Sequence, residues 1–221
     1  MDGPIPMPTD TDFLTLSQWF SPNYPIGAFS YSHGLEWAVV SGAVTDSASL
    51  KTWIEGVLRY GAGQSDALFL AAGYWANSGQ EVSEIDALAR AFAPSAERLL
   101  ESTAQGAAFC KATSDVWGAD LPELTYPVAV GRAARLEDLP LALASQMYVH
   151  AFASNIVMAA TRLAPVGQTE AQVLIHKLAP LCADIAEETE LGDLDDLSGT
   201  SFVADIQAMQ HESQHSRIFR T

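Results

Sequence analysis

The sequence is poor in positive charge and in cysteine. Its 221 residues include 11 lysines and arginines against 27 aspartates and glutamates, a formal net charge of −16 at pH 7. This balance argues against nucleic-acid binding, which depends on basic side chains that neutralise phosphates, and it favours a basic partner or a cation. The two cysteines, Cys110 and Cys182, lie far apart without a C-x-x-C spacing, so we predict buried thiols rather than a disulfide or a metal site.

Signals for secretion, membrane insertion and nucleotide hydrolysis are also missing. No lysine or arginine precedes Lys51, so the basic region of a secretory signal is absent. The longest apolar stretch, residues 139–163, is interrupted by polar side chains, whereas a transmembrane helix needs about 20 mainly apolar residues. No G-x-x-x-x-G-K-[ST] loop is present, so the sequence lacks the usual phosphate-binding signature of a nucleotide hydrolase. The sequence therefore predicts a cytoplasmic protein that does not enter a membrane.

Helical periodicity dominates the rest of the chain. Between Asp46, a good helix cap, and Gly61, the large apolar residues recur every three or four positions, and no series of alternating β-branched runs appears. Such patterns predict helices at residues 47–60, 66–77, 81–93, 95–117, 138–162 and 169–188, and from about residue 200 onward. We expect an all-α, single-domain helical bundle, with residues 1–12 as a flexible tail, 13–210 as the helical domain and 211–221 as a C-terminal partner-binding segment.

Five short motifs stand out against this helical background. On composition alone, residues 21–36 (S-P-N-Y-P-I-G-A-F-S-Y-S-H-G-L-E) form a tight turn whose aromatic rings fill the core before a helix near residues 30–36. This segment resembles the N-terminal signature of the UreF family of urease accessory proteins. Four further motifs resemble the same family in their order and spacing. They are Y-P-V-A-V-G at 126–131, F-A-S-N at 152–155, R-L-A-P-V-G-Q at 162–168 and H-E-S-Q-H-S-R-I-F-R at 211–220.

The resemblance implies an all-helical, usually dimeric protein without chemistry of its own. Members bind the D-type (also called H-type) urease accessory protein and the urease accessory GTPase, and this assembly helps to build the dinuclear nickel centre of apo-urease in a GTP-dependent step. We therefore expect a homodimer with no tightly bound cofactor and at most transient Ni²⁺. The residues expected at the partner interface come from the two terminal signatures: Phe29, Tyr31, His33, Glu36, His211, Glu212, Gln214, Arg217, Phe219 and Arg220.

One motif points to a different class of protein. Residues 211–215, H-E-S-Q-H, match the zincin pattern H-E-x-x-H, in which two imidazoles share a helical face. The alternative is thus a zinc metalloprotease with Glu212 as general base. A third zinc ligand is lacking, because no His, Asp or Glu follows His215. We expect instead a helix that contacts a partner, with His211 and His215 as weak, transient nickel candidates.

Two polar segments complete the expectations. The C-terminal segment has Ile218 and Phe219 as its only large apolar side chains, too few to offset its ordering entropy. We expect it to be mobile until a partner covers Phe219, with Arg217 over the ring of Phe29 or beside Tyr31. The acidic residues 184–196 are expected to form a solvated loop.

Overall fold

The computed structural model describes residues 7–199 and 201–220, and this part of the chain is all-helical, with no β-strand. None of its helices is long and apolar enough to cross a membrane. The α-helices are α1 Asp10–Trp19, α2 Leu35–Val40, α3 Ser47–Tyr60, α4 Ala62–Trp75, α5 Gly79–Phe92, α6 Ala96–Trp117, α7 Tyr126–Leu136, α8 Leu141–Leu163, α9 Gln168–Glu188 and α10 Phe202–His211.

The helices predicted from periodicity are confirmed, with ends shifted by no more than four residues. Their starts are fixed by local hydrogen bonds that satisfy backbone donors of the first turn. Asp46 accepts from the Ser49 N–H at 2.8 Å before α3, and Ser95 accepts from the Arg98 N–H at 3.1 Å before α6. The two predicted buried thiols are also confirmed.

Two helices were not predicted. α1 begins at Asp10 behind a reciprocal capping box of Thr9 and Asp12, so the last three residues of the expected flexible tail are helical; residues 1–6 lie outside the described part. α7 was missed because Pro127 and Gly131 look like turn residues. Pro127 sits in the first turn, where a missing N–H is tolerated.

Two other expectations need correction. The acidic residues 184–196 are not one solvated loop, because α9 continues to Glu188 and Leu194–Asp196 form a 3-10 turn. The stretch 30–36 is not a continuous helix either: Ala28–Ser30 form a 3-10 turn and α2 starts only at Leu35.

The core is organised around α4, which is buried on nearly all sides. α7 crosses it so closely that a Cβ on Gly131 would lie 1.9 Å from the carbonyl oxygen of Leu70. Only glycine permits this approach, and the crossing buries the apolar face of α7.

A second close approach joins the N-terminal signature to α10. Gly34 has a φ of +79°, and a Cβ there would lie 2.9 Å from the Ala208 backbone nitrogen. Only glycine meets both demands without strain. The backbone before α2 therefore lies directly against α10, which brings the two terminal signatures together.

Gly131→Ala should lower the free energy of unfolding by at least about 2 kcal/mol, because the added methyl group overpacks the α4–α7 crossing. Gly56→Ala, in the middle of α3 with no atom within 4 Å of its Cβ position, is the matched control and should raise stability by about 0.5–1 kcal/mol. Urea unfolding followed by circular dichroism measures both. Equal effects of the two substitutions would contradict the close crossing.

Candidate functional site

Glu36, in the first turn of α2, is a carboxylate that the chain encloses. The residue is only 3% exposed to solvent. It accepts hydrogen bonds from the backbone N–H groups of Ile218, at 2.9 and 3.1 Å, and Phe219, at 2.9 Å. Gln214 Nε2 donates to it at 3.2 Å. A buried carboxylate is costly unless such donors surround it, so residues 212–220, here called the strap, are held on α2 by this one side chain.

His211, the last residue of α10, links Glu36 to a second carboxylate. Its ring is 0% exposed, with Nδ1 2.7 Å from Oε2 of Glu97 and Nε2 3.4 Å from Oε2 of Glu36. Glu97, in the first turn of α6, accepts from Nη1 of Arg217 at 2.7 Å through its other oxygen. The imidazole thus lies between two carboxylates, and the strap arginine closes the group from outside.

The end of the strap is held by contacts with the signature segment, residues 21–36. The Phe219 side chain is buried, and the Arg162 guanidinium lies 4.3 Å above the centre of its ring. Arg162 also donates to the carbonyl oxygen of Phe29 at 3.0 Å, and the Arg220 N–H donates to the carbonyl oxygen of Ser30 at 2.8 Å. A guanidinium over an aromatic face is stabilising, so Arg162 joins the two signatures.

These contacts correct the expectations for the strap. It is docked on its own chain, so a partner is not needed to bury Phe219. Arg217 contacts Glu97 and not the ring of Phe29 or Tyr31. A cation–aromatic contact does hold the strap, but Arg162 of α8 makes it with Phe219, because the strap turns the Arg217 side chain toward α6.

The zincin geometry is absent from the described structure. α10 ends at His211, so His211 and the exposed His215 do not share a helical face. The Glu212 carboxylate accepts from the Ala96 N–H at 2.9 Å and the Glu97 N–H at 3.4 Å. It therefore caps the start of α6, where a negative charge interacts favourably with the helix dipole. Within the described residues no three His, Cys, Asp or Glu side chains are grouped to hold a metal ion.

A second buried network lies beneath the first. Arg98 is 2.8 Å from Glu101 and 3.5 Å from Asp66, which also accepts from the Tyr148 hydroxyl at 2.8 Å. His33 Nδ1 lies 3.8 Å from the Glu101 carboxylate. Three helices and the signature segment therefore supply one charged cluster in the interior.

Burial and charge act differently on the members of this network. Burial, aided by the Arg98 charge, lowers the pKa of His33 to about 4, which keeps its imidazole neutral near pH 7. Burial is the largest influence on Glu101 and disfavours its charged form, but the Arg98 guanidinium and the contact with His33 together outweigh it and lower the pKa of Glu101 to about 2. For Asp66 the contact with Arg98 is longer, burial dominates, and the pKa is raised.

The structure divides the residues expected at the partner interface into two groups. Buried within the chain are Tyr31, His33, Glu36, His211 and Phe219; half-buried is Gln214; exposed are Phe29, Glu212, Arg217 and Arg220. A partner can reach the exposed group directly, whereas the buried group shapes the surface from below. Binding by any of these residues stays a prediction.

Several residues of the site were not found from the sequence. Glu97, Glu101 and Gln105 recur every fourth position on α6, a polar stripe that normally indicates a solvated face, yet all three are buried. Arg162 lies within a recognised motif, but nothing in the motif indicates its position over Phe219. Buried charge can only be recognised once the opposing helices are placed.

Glu36→Gln should loosen the strap, because an amide offers one acceptor oxygen and turns an NH₂ group toward the strap N–H donors. Losing about 1.5–3 kcal/mol of charge-assisted hydrogen bonding corresponds to roughly tenfold to hundredfold faster trypsin cleavage after Arg217. Mass spectrometry identifies the cut. Glu84→Gln, which alters an exposed carboxylate on α5, is the control and should cleave at the wild-type rate; equal rates for both variants would contradict the role of Glu36.

Comparison with known proteins agrees with the resemblance in the motifs. The UreF family model matches residues 44–179. A protein of Ruegeria pomeroyi named urease accessory protein UreF is 54% identical over 214 residues, covering 97% of this chain and 99% of that protein. Proteins of the same name from Roseobacter denitrificans (51% over 217 residues, 98% and 97%) and Rhodopseudomonas palustris (41% over 231 residues, 99% and 98%) match as completely. The chain belongs to the UreF family of urease accessory proteins.

Proposed function

We propose that this chain is a non-catalytic scaffold in the maturation of urease. It acts in the cytoplasm with a D/H-type urease accessory protein and the urease accessory GTPase, and the assembly delivers nickel to apo-urease in a GTP-dependent step. One observation carries this proposal: the two terminal family signatures lie together on one surface of a UreF-family chain. Arg220 and Ser30, which are 190 positions apart in the sequence, are joined there by a backbone hydrogen bond.

That surface has the composition of a protein interface. Phe29 is 68% and Ile218 67% exposed, and they are accompanied by the exposed arginines 162, 217 and 220. Three of the eleven basic residues thus gather on a chain whose net charge is −16. Exposed aromatic and arginine side chains are enriched at binding hot spots, so this edge, called the Phe29 edge below, suits a partner with an apolar pocket and acidic groups around it.

The contacts of the zincin motif favour a scaffold over the protease alternative. Glu212, the required general base, is engaged with the backbone at the start of α6. Both ring nitrogens of His211 face carboxylates, so any transient contact with Ni²⁺ falls to the exposed His215. The GTP step belongs to the partner GTPase, since the sequence has no phosphate-binding loop.

A homodimer is part of the proposal, and a groove beside α8 supports it. The groove, of about 660 Å³, lies between the end of α1, α8 and α9. Small side chains line much of it, which permits close approach of another helix. Its small lining residues are Ser17, Ser21, Ala151, Ser154, Ala179, Cys182 and Ala183.

Ala183→Arg should convert the dimer to a monomer, because a long charged side chain would fill this groove. Light scattering over a range of concentrations measures the mass. Ala87→Arg, on the exposed face of α5, introduces the same charge elsewhere and should leave the dimer intact. A wild-type chain that stays monomeric at high concentration and with its D-type partner present would rule out the homodimer.

Phe29→Ala should weaken binding of the partner assembly by about thirtyfold, as expected for a hot spot worth about 2 kcal/mol. The fold should be unaffected, since the ring is mostly exposed. Co-purification with the D-type protein and the GTPase, followed by a nickel-dependent urease activation assay, measures the effect. Leu191→Ala removes another exposed apolar side chain and serves as control.

Two outcomes of that experiment are decisive. If urease is activated equally with and without this chain, the proposed function is wrong. If activation needs the chain but Phe29→Ala behaves like Leu191→Ala, the function stands and the interface lies elsewhere.

A further inference from the structure

A cavity of about 250 Å³ lies beside the second buried network. The first half of α4, the end of α5, the start of α6 and α10 enclose it, and the exposed residues 198 and 199 lie at its edge. Pockets for drug-sized ligands measure about 300–1,000 Å³. This cavity therefore suits a smaller molecule that enters from solvent.

Much of the cavity wall is apolar. The rings of Phe69 and Phe92 lie together in it, with their centroids 6.0 Å apart and their planes at 66°. Ala89, Pro94 and Pro127 add further carbon surface. Such a wall favours the carbon body of a ligand, and the face of an aromatic ring also attracts a positive charge.

Two carboxyl groups in the wall have oxygens without donors. Asp66 is 9% exposed, and both of its hydrogen-bond contacts fall on Oδ2, with the Tyr148 hydroxyl at 2.8 Å and Arg98 at 3.5 Å. Within the described residues, Oδ1 of Asp66 accepts no hydrogen bond. The half-buried side chain of Asp205, which lines the cavity from α10, accepts none from that part of the chain either. A buried acceptor without a donor is costly, so the wall offers acceptors to a ligand with N–H groups.

The positive charge in the wall is already balanced. Arg98 is the one basic side chain among the described lining residues, and its Nη1 lies 2.8 Å from the Glu101 carboxylate. The pKa of Glu101 is about 2, so this pair carries no net charge near pH 7. Burial raises the pKa of Asp66 and of Asp205, because their ionised forms are poorly stabilised. A cation in the cavity would stabilise both.

We infer that this cavity is a binding site for a small organic cation, an alkylammonium with a short carbon chain. The charged end of the ligand lies toward Asp66 and Asp205, and its chain lies against Phe69 and Phe92. An ammonium group has donors and no acceptor, which matches the free carboxyl oxygens. The chain displaces water from the apolar wall, and this burial favours binding.

A metal ion fits this wall less well than an organic cation. Hard cations such as Mg²⁺ and Ca²⁺ take about six or more oxygen ligands, whereas here two carboxyl groups face an aromatic wall. The part of the chain that the structure describes also brings no three His, Cys, Asp or Glu side chains together for a metal. The site therefore selects a cation that has an apolar body.

Titration of the full-length chain with n-pentylammonium chloride, followed in ¹H–¹⁵N spectra, tests the site. Amide signals from residues 61–69 and 89–94 should shift and reach saturation. Pentan-1-ol has the same chain without the charge and should bind at least about tenfold more weakly, as expected when a charge-assisted hydrogen bond is lost; pentanoate should not bind. Absence of saturable shifts with n-pentylammonium, or equal binding of pentan-1-ol, would overturn the inference.

This test is independent of the role in urease maturation, because it measures ligand binding by the chain alone. Failure of the cation site and failure of the proposed function therefore appear in different experiments.

An alkylammonium group occurs both in free amines and in the lysine side chains of a bound protein. Co-purification with the D-type protein and the GTPase, repeated with saturating n-pentylammonium, separates these sources, and this experiment alone rests on the proposed function. Reduced recovery of the partners identifies a partner lysine as the occupant. Unchanged recovery identifies a free amine.

A pair of charge variants identifies the carboxyl group responsible. Asp205→Asn keeps the shape of the wall and removes its charge, so n-pentylammonium should bind about tenfold more weakly. Asp195→Asn alters an exposed carboxylate in the 3-10 turn Leu194–Asp196 and should bind like the wild type. Equal affinity of the two variants would overturn the assignment.

A pair of size variants tests the cavity itself. Ala89→Leu places a larger side chain in the space that the ligand needs and should weaken binding of n-pentylammonium by at least about tenfold. Ala91→Leu adds the same carbon atoms on the exposed side of α5 and should keep the wild-type affinity. Circular dichroism checks that both variants retain their helices. If Ala89→Leu binds the probe as tightly as Ala91→Leu, the inference is wrong.

Discussion

The buried carboxylate of Glu36 needs hydrogen-bond donors, and this requirement determines how the N-terminal signature segment and the C-terminal strap meet. Glu36 is enclosed by α2, α10 and the strap, and its main donors are backbone N–H groups of the strap. An enclosed charge without donors costs several kcal/mol. This cost explains why a short, polar segment with few apolar groups is ordered. If the strap left, Glu36 would lose its hydrogen-bond donors, and the free energy of that loss is what mainly holds the strap in place.

The strap separates its inward and outward side chains. Arg217 contacts Glu97 while the residue as a whole remains exposed, Ile218 is exposed, Phe219 is buried and Arg220 is exposed. The inward residues fix the position, and the outward residues, with Phe29, form the exposed edge. Stability of the chain and composition of its surface are therefore set by the same few residues.

Sequence patterns predicted the parts of the fold that depend on neighbours in the chain. Asp46 and Ser95 cap α3 and α6 because the required partner is three residues away, and such signals are visible in the sequence. α7 was missed because Gly131 is needed for contact with α4 and not for α7 itself. The family motifs located both signatures, and a contact between them was expected, but not that Glu36 makes it with Phe219, 183 positions away.

The long separation between Glu36 and the strap also orders the events of folding during synthesis. Chains grow at about 5–20 residues per second, so Glu36 is synthesised on the order of ten to forty seconds before Phe219. During that interval the Phe29 edge lacks Ile218 and Arg220, and the carboxylate of Glu36 must stay hydrated. The Phe29 edge is therefore completed only after the strap has been made.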